Sequence, residues 1–210
     1  MNSLFPQELI NTIIDYHFHD QPTLAACGLV CKAWLPASRY HLFHTLKLVD
    51  ENWDTFLDLI QIYHARVPST IVPNANNQSH LLHAVRVLNA DGSQFTGSSF
   101  SQLAHLISSF PHLHSFTWTP GHPRSRSRTS EIDPVELKFP PHFHTIDIAG
   151  NCDEIRGFLD RLNGMQNTPR LSTIKIYYAC ARNVNSIRDL LRIQGRSLRH
   201  LELSWSYYGC

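Results

Sequence analysis

Charge is scarce in this chain. Eighteen basic and 17 acidic residues are spread over 210 positions, for a net charge of +1. No general basic field is available to hold nucleic acid or an anionic membrane surface. Long apolar runs are missing as well. Nothing approaches the roughly eighteen uninterrupted apolar residues of a membrane-crossing helix. The opening stretch, MNSLFPQELINTIIDY, has no basic leader and carries Glu8 and Asp15, unlike a secretory signal. The five cysteines (Cys27, Cys31, Cys152, Cys180 and Cys210) form an odd set without framework spacing, which with no leader points to the reducing cytosol or nucleus. Familiar catalytic signatures are absent. Residues 92–99, GSQFTGSS, have the glycine spacing of a P-loop, but Ser98 stands where lysine is required. There is no G-x-G-x-x-G, G-x-S-x-G or H-E-x-x-H. No cofactor, metal or catalytic residue is expected.

What the chain does have is a recurring apolar triplet, φ-x-x-φ-x-φ. It reads as Phe43/Leu46/Leu48, Leu82/Val85/Val87, Leu113/Phe116/Trp118, Phe143/Ile146/Ile148, Leu171/Ile174/Ile176 and Leu198/Leu201/Leu203. The middle residues of the last five copies are 31, 30, 28 and 27 positions apart, and the first interval is 39. A period of this size marks stacked strand-plus-helix units. Each triplet alternates like a half-buried strand, and helical stripes lie between them, such as Trp53, Phe56, Leu57 and Ile60, or Ile155, Phe158, Leu159 and Leu162. Ser99-x-x-Gln102 and Asn151-x-x-Glu154 are spaced as capping boxes, and Gly164 and Gly195 fall where helix C-caps belong. Strand, helix, strand in this order predicts parallel strands joined by right-handed crossovers. The expected fold class is α/β: a small helical unit, then a curved parallel sheet of about six strands with helices outside. Residues 66–80 and 119–134 read as exposed loops inserted into the pattern.

Residues 1–45 follow a different period. Pro6 suits a first helical position, Glu8 the first turn, and Leu9, Ile10, Ile13 and Ile14 form one stripe at helical spacing. Asp20 and Pro22 open a second helix carrying Leu24, Ala25, Cys27, Leu29 and Val30, and a third runs from Cys31 to Tyr40 with Trp34. Three short helices cannot bury all of this apolar surface among themselves, so part of it should face a partner or the repeats.

Residues 4–48 resemble an F-box. Phe5-Pro6-Gln7-Glu8-Leu9-Ile10 is similar to the family's opening Leu-Pro-x-Glu-Leu-φ. Leu24 through Leu29-Val30-Cys31-Lys32-Ala33-Trp34 is similar to its Leu…φ-Val-Cys-x-x-Trp segment, and Ser38-Arg39…Leu42-Phe43 to its closing stretch. The wording is particularly like F-box proteins of mushroom-forming fungi, which often continue into leucine-rich-like repeats. The resemblance implies two domains, an F-box over residues 1–45 and a leucine-rich-repeat-like solenoid over 46–210. It implies a substrate-recognition subunit of an SCF-type ubiquitin ligase, docked on the Skp adaptor and through it on a cullin, with the repeats holding a target protein. Carried over by position, the adaptor-facing residues are Phe5, Pro6, Leu9, Ile10, Ile13, Leu24, Val30, Cys31 and Trp34, while Ile14, Leu29 and Phe43 are assigned to the core. A repeat scaffold that no longer binds the adaptor is the alternative.

The strand residues between the inward-facing ones, among them Lys47, Arg86, Thr117, Asp147, Lys175 and Glu202, are expected to line the concave face and touch the target. His44, His83, His114 and His144 recur two residues before the middle apolar position. Such a row would suit a metal site or a pH sensor, but packing at the strand ends is favoured, because no acid or base recurs beside it. Cys27 and Cys31, with His17 and His19 nearby, have ligand chemistry for zinc, but burial is again favoured. Helical unit and repeats are expected to share one core. Only seven residues follow Leu203, too few for a capping repeat. The chain therefore reads as a truncated or minimal member of a longer family, or one that covers this edge by association.

Overall fold

A computed structural model of the chain describes residues 6–66, 80–92, 103, 106–120, 138–165 and 168–205. Phe5, the Ser99 capping box, the P-loop-like stretch from residue 93, most of both inserted loops and residues 206–210 lie outside these.

Three short helices come first: α1 (Gln7–Tyr16), α2 (Gln21–Val30) and α3 (Leu35–Leu42). Pro6 is the N-cap of α1 rather than its first residue. Asp20 caps α2, accepting from the Thr23 backbone N–H at 3.2 Å and the Thr23 hydroxyl at 2.6 Å. The third helix starts later than its apolar pattern suggests, because residues 32–34 form a turn. Ile10, Ile14, Leu24 and Cys27 make a small core, with Ala33, Trp34, Ala37 and Leu42 packed against it. An added Cβ at Gly28 would stand 3.7 Å from Ser38 Cβ, an ordinary contact, so the packing of α2 on α3 does not require glycine there.

Six parallel strands follow in one sheet: β1 (Thr45–Leu48), β2 (Val87–Gly92), β3 (Ser115–Pro120), β4 (Thr145–Ala149), β5 (Thr173–Ala179) and β6 (His200–Trp205). Their spatial order is their sequence order. Right-handed crossovers between strands in this order all pass over the same face, so the helices lie on one side of the sheet, and among the described residues no helix covers the other. The helices described between strands are α4 (Asp50–Arg66), α5 (His80–Ala84), α6 (Cys152–Asn163) and α7 (Val184–Gln194), with a 3-10 turn at Ala181–Asn183. Leu48, Leu88, Phe116, Ile146, Ile148, Ile174 and Ile176 pack from the sheet against Trp53, Ile60, Leu106, Ile155, Phe158, Leu162 and Leu190 from the helical layer in one large core. A fully buried aliphatic or aromatic side chain of this kind contributes about 1.5–3 kcal/mol.

The register corrects one repeat. Leu46 pairs with Leu88, Leu88 with Phe116, Phe116 with Ile146, Ile146 with Ile174 and Ile174 with Leu201. The second triplet is therefore Val85/Leu88/Ala90, three residues later than Leu82/Val85/Val87. Both frames satisfy φ-x-x-φ-x-φ, and the small Ala90 conceals the right one, although it is buried as deeply as its larger counterparts. Leu82 belongs to α5 instead.

Helical unit and sheet do not share one core. The buried residues form two separate clusters, joined at the surface by α3, where Arg86 lies over the Tyr40 ring at 5.5 Å. The stacking also brings Cys152 and Cys180 side by side, with Cα atoms 6.0 Å apart. They stand six residues after Ile146 and Ile174, equivalent places in adjacent units. Asn183, fully buried, binds both backbones. Its amide donates to Cys152 O at 2.6 Å, and its carbonyl accepts from Cys180 N–H at 3.0 Å. Asn151 completes the expected capping box with Glu154 at the start of α6. Gly164 and Gly195 are C-caps, but both keep right-handed backbone, so neither position needs glycine's freedom.

Candidate interaction surfaces

Three surfaces of the described residues present groups that binding can use. The first is on α1. With 100° between successive residues, Ile10 and Ile14 turn to the core, Gln7, Asn11 and Asp15 turn to α3, and Pro6, Leu9, Ile13 and Tyr16 share the remaining stripe. The Gln7 face borders an open groove of about 500 Å3 against Ala37, Tyr40 and His41. There His41 Nε2 meets Asp15 Oδ1 at 2.6 Å, and Gln7 Nε2 donates to Ala33 O at 3.3 Å. The third stripe meets solvent: Leu9 is 52% and Ile13 42% exposed, and at the end of α2 Leu29 and Val30 are 88% and 62% exposed.

This sorts the adaptor-facing set. Pro6, Leu9, Ile13, Val30 and Cys31 are exposed, and Trp34 is half-buried against the small core. Ile10 and Leu24 are corrections: each is buried in that core, so neither presents a contact side chain. They turn inward because a three-helix unit needs one inward position per turn, and α1 supplies it with Ile10 and Ile14. Leu29 is the reverse correction, assigned to the core but the most exposed large apolar residue in α2. Phe43, also assigned inward, is 36% exposed.

The second surface is the bare face of the sheet. Its central row runs Lys47, Asn89, Thr117, Asp147, Lys175, Glu202 in register. Asn89 holds the place expected for Arg86, as the shifted repeat requires. Charge gathers at the β4–β6 end, where Lys175 Nζ is 3.6 Å from Glu202 Oε2 and His200 Nε2 is 3.9 Å from the same oxygen. Partial burial raises the Asp147 carboxyl above its usual value, against the pull of Lys175. In β5 a register shift between Ile176 and Ala179 accommodates Tyr178, the one non-glycine residue with positive φ (63°) among those described. The irregularity keeps Ala179 buried and leaves Tyr178 exposed.

The third surface is at the strand entrances. His44, Arg86, His114, His144, Ser172 and Arg199 occupy equivalent places there. Each of the first five carbonyls accepts two backbone N–H groups from the next unit; His44 O, for example, accepts from Arg86 and Val87 at 2.9 and 3.0 Å. His83 is not in this row; it sits on α5, edge-on to His112 at 5.3 Å. His112 stacks on His142 at 6.2 Å, and His114 on His144 at 5.6 Å. His112 and His142 were not singled out by the triplet pattern, because they lie two residues before the row that it marks.

Burial first, then Arg86 and neighbouring imidazoles, lowers the His44, His112 and His114 pKa values. Lowered histidine pKa values mean that the unfolded chain binds more protons below its usual titration range, near 6.5. Stability is therefore fully present above that pH and declines as pH falls. We expect the melting temperature to be flat between pH 8 and 7 and to drop by a few degrees toward pH 5.5, with His112→Gln/His114→Gln flattening the decline. A scan by circular dichroism checks this; a melting temperature that rises toward pH 5.5 would contradict it. Asp147 and Glu154, both raised by burial, act at lower pH.

Among the described residues no group of three or more His, Cys, Asp or Glu is arranged to hold a metal ion, and no helix is long and apolar enough to cross a membrane. No protein-family model matches the chain, and neither a curated protein nor a solved structure is significantly similar to it.

Proposed function

We propose that the chain is the substrate-recognition subunit of an SCF-type ubiquitin ligase. On this reading α1–α3 are an F-box that docks on the Skp adaptor, and the sheet with its one-sided helices is a leucine-rich-repeat-like solenoid that holds a target protein. The protein has no catalytic step of its own; it works by bringing the target to the cullin-bound machinery. The observation that carries the reading is the exposed apolar stripe Leu9–Ile13 with Leu29 and Val30, on helices whose own core is already filled by Ile10, Ile14 and Leu24. Short helices that offer a few apolar side chains beyond their core needs suit a partner's groove. The bare sheet face, with its mixed charges around Asp147, Lys175 and Glu202, supports a separate target site.

Calorimetry of the full chain against purified Skp adaptor tests the proposal. A one-to-one complex of micromolar affinity or tighter is expected. Absence of binding at high micromolar concentration would leave the repeat scaffold as the better account.

A further inference from the structure

The strand-entrance histidines form a built cluster that the ligase reading does not use. His83, Arg86, His112, His114, His142 and His144 come from α5 and from the residues that lead into β2, β3 and β4. The imidazoles are spaced 5.3–6.2 Å apart. Arg86 is held in place: its guanidinium donates to the His83 carbonyl and lies over Tyr40. The charged groups acting on the inner histidines are all basic: Arg86, His41, His44, His83, His142 and His144. Asp15 on α1 is engaged by His41 at 2.6 Å. Six cationic or protonatable side chains thus lie together, and among the described residues no carboxylate acts on the inner histidines.

We propose that this strip is a docking site for an acidic, carboxylate-bearing protein segment. An extended segment advances about 3.3 Å per residue and turns alternate side chains to one face, so its carboxylates recur about every 6.6 Å, close to the imidazole spacing. Each carboxylate would stabilise a protonated imidazole and remove the mutual repulsion of the cluster. Binding is therefore coupled to proton uptake and strengthens in mild acid. A nucleic acid fits less well, because the strip has a single guanidinium and the chain no wider basic field. The inference does not depend on whether α1–α3 engage an adaptor.

Fluorescence anisotropy with labelled hexaglutamate, hexaglutamine and the single-stranded hexanucleotide of thymidine, using the full chain, tests it. Hexaglutamate should bind at least tenfold tighter at pH 6.0 than at pH 8.0, and hexaglutamine should not bind. His142→Gln/His144→Gln, at two exposed positions whose backbone bonds do not involve the side chain, should lose at least fivefold at pH 6.0. Calorimetry at pH 6.5 in buffers of different ionisation enthalpy should show net proton uptake by the unmodified protein, which keeps the outcome decisive if the variant is unstable. Equal hexaglutamate affinity at both pH values, no proton uptake, or tighter binding of the oligonucleotide would overturn the proposal.

Discussion

Leu9→Asp/Ile13→Asp is expected to abolish adaptor capture while leaving the fold intact. Both side chains lie on the α1 stripe that faces solvent, about half exposed, so a carboxylate at either place is not forced into a core. In a complex the same positions would be desolvated. Truncating a central apolar contact typically costs about 2 kcal/mol or more. Two such losses correspond to roughly a thousandfold if they add, and burying carboxylates adds to the cost. We expect at least a hundredfold weaker binding by calorimetry, with a melting temperature close to that of the unmodified protein. Leu24→Ala serves as the contrast. Leu24 is fully buried, and its truncation should cost about 2–5 kcal/mol and damage the helical unit itself. If the double variant binds the adaptor normally, the α1 stripe is not the docking surface.

Asn183→Ala is expected to destabilise the sheet domain. Asn183 is fully buried and joins the loop after β4 to the loop after β5, donating to Cys152 O and accepting from Cys180 N–H. Alanine leaves the buried Cys180 N–H without this acceptor and removes the side-chain tie to Cys152 O. One unsatisfied buried donor costs about 1–3 kcal/mol, or roughly 3–10 °C in melting temperature for a chain of this size. Asn183→Asp keeps the acceptor but sets a carboxylate against the Cys152 carbonyl, so it should also destabilise, and less so in acid, where the carboxyl regains a proton to donate. Thermal unfolding followed at pH 7 and pH 5 checks both substitutions. A shift of under 2 °C for the alanine variant would show that the pair of bonds is not what holds these loops.

The parallel sheet was legible because its strands repeat the same apolar spacing, and a packed face punishes any departure from alternation. The error in the second unit came from the same source: two overlapping frames near Val85 both satisfy the pattern, and only pairing partners distinguish them. That shift moved Arg86 from the sheet face to the strand entrance and put Asn89 in its place. The juxtaposition of Cys152 and Cys180 was readable in principle. Their separation of 28 residues equals the spacing of Ile146 and Ile174, so stacking places them side by side. Inside the helical unit, helical periodicity identified the apolar stripes but not their division between core and surface. Leu9 and Ile10 are adjacent in sequence and about 100° apart on the helix; packing against α2 and α3 decides which one is buried. The family resemblance could not make that division either, since it placed both on the adaptor side.

On the proposed function, labour is divided: α1 and the end of α2 serve the adaptor, and the sheet serves other partners. Hydrogen–deuterium exchange of the full chain with and without saturating Skp adaptor tests it most directly. Added protection is expected in peptides spanning residues 6–16 and 29–34, with none in those covering 145–149, 173–179 and 200–205. Protection centred on the strands, or an unchanged exchange pattern throughout, would contradict the claim.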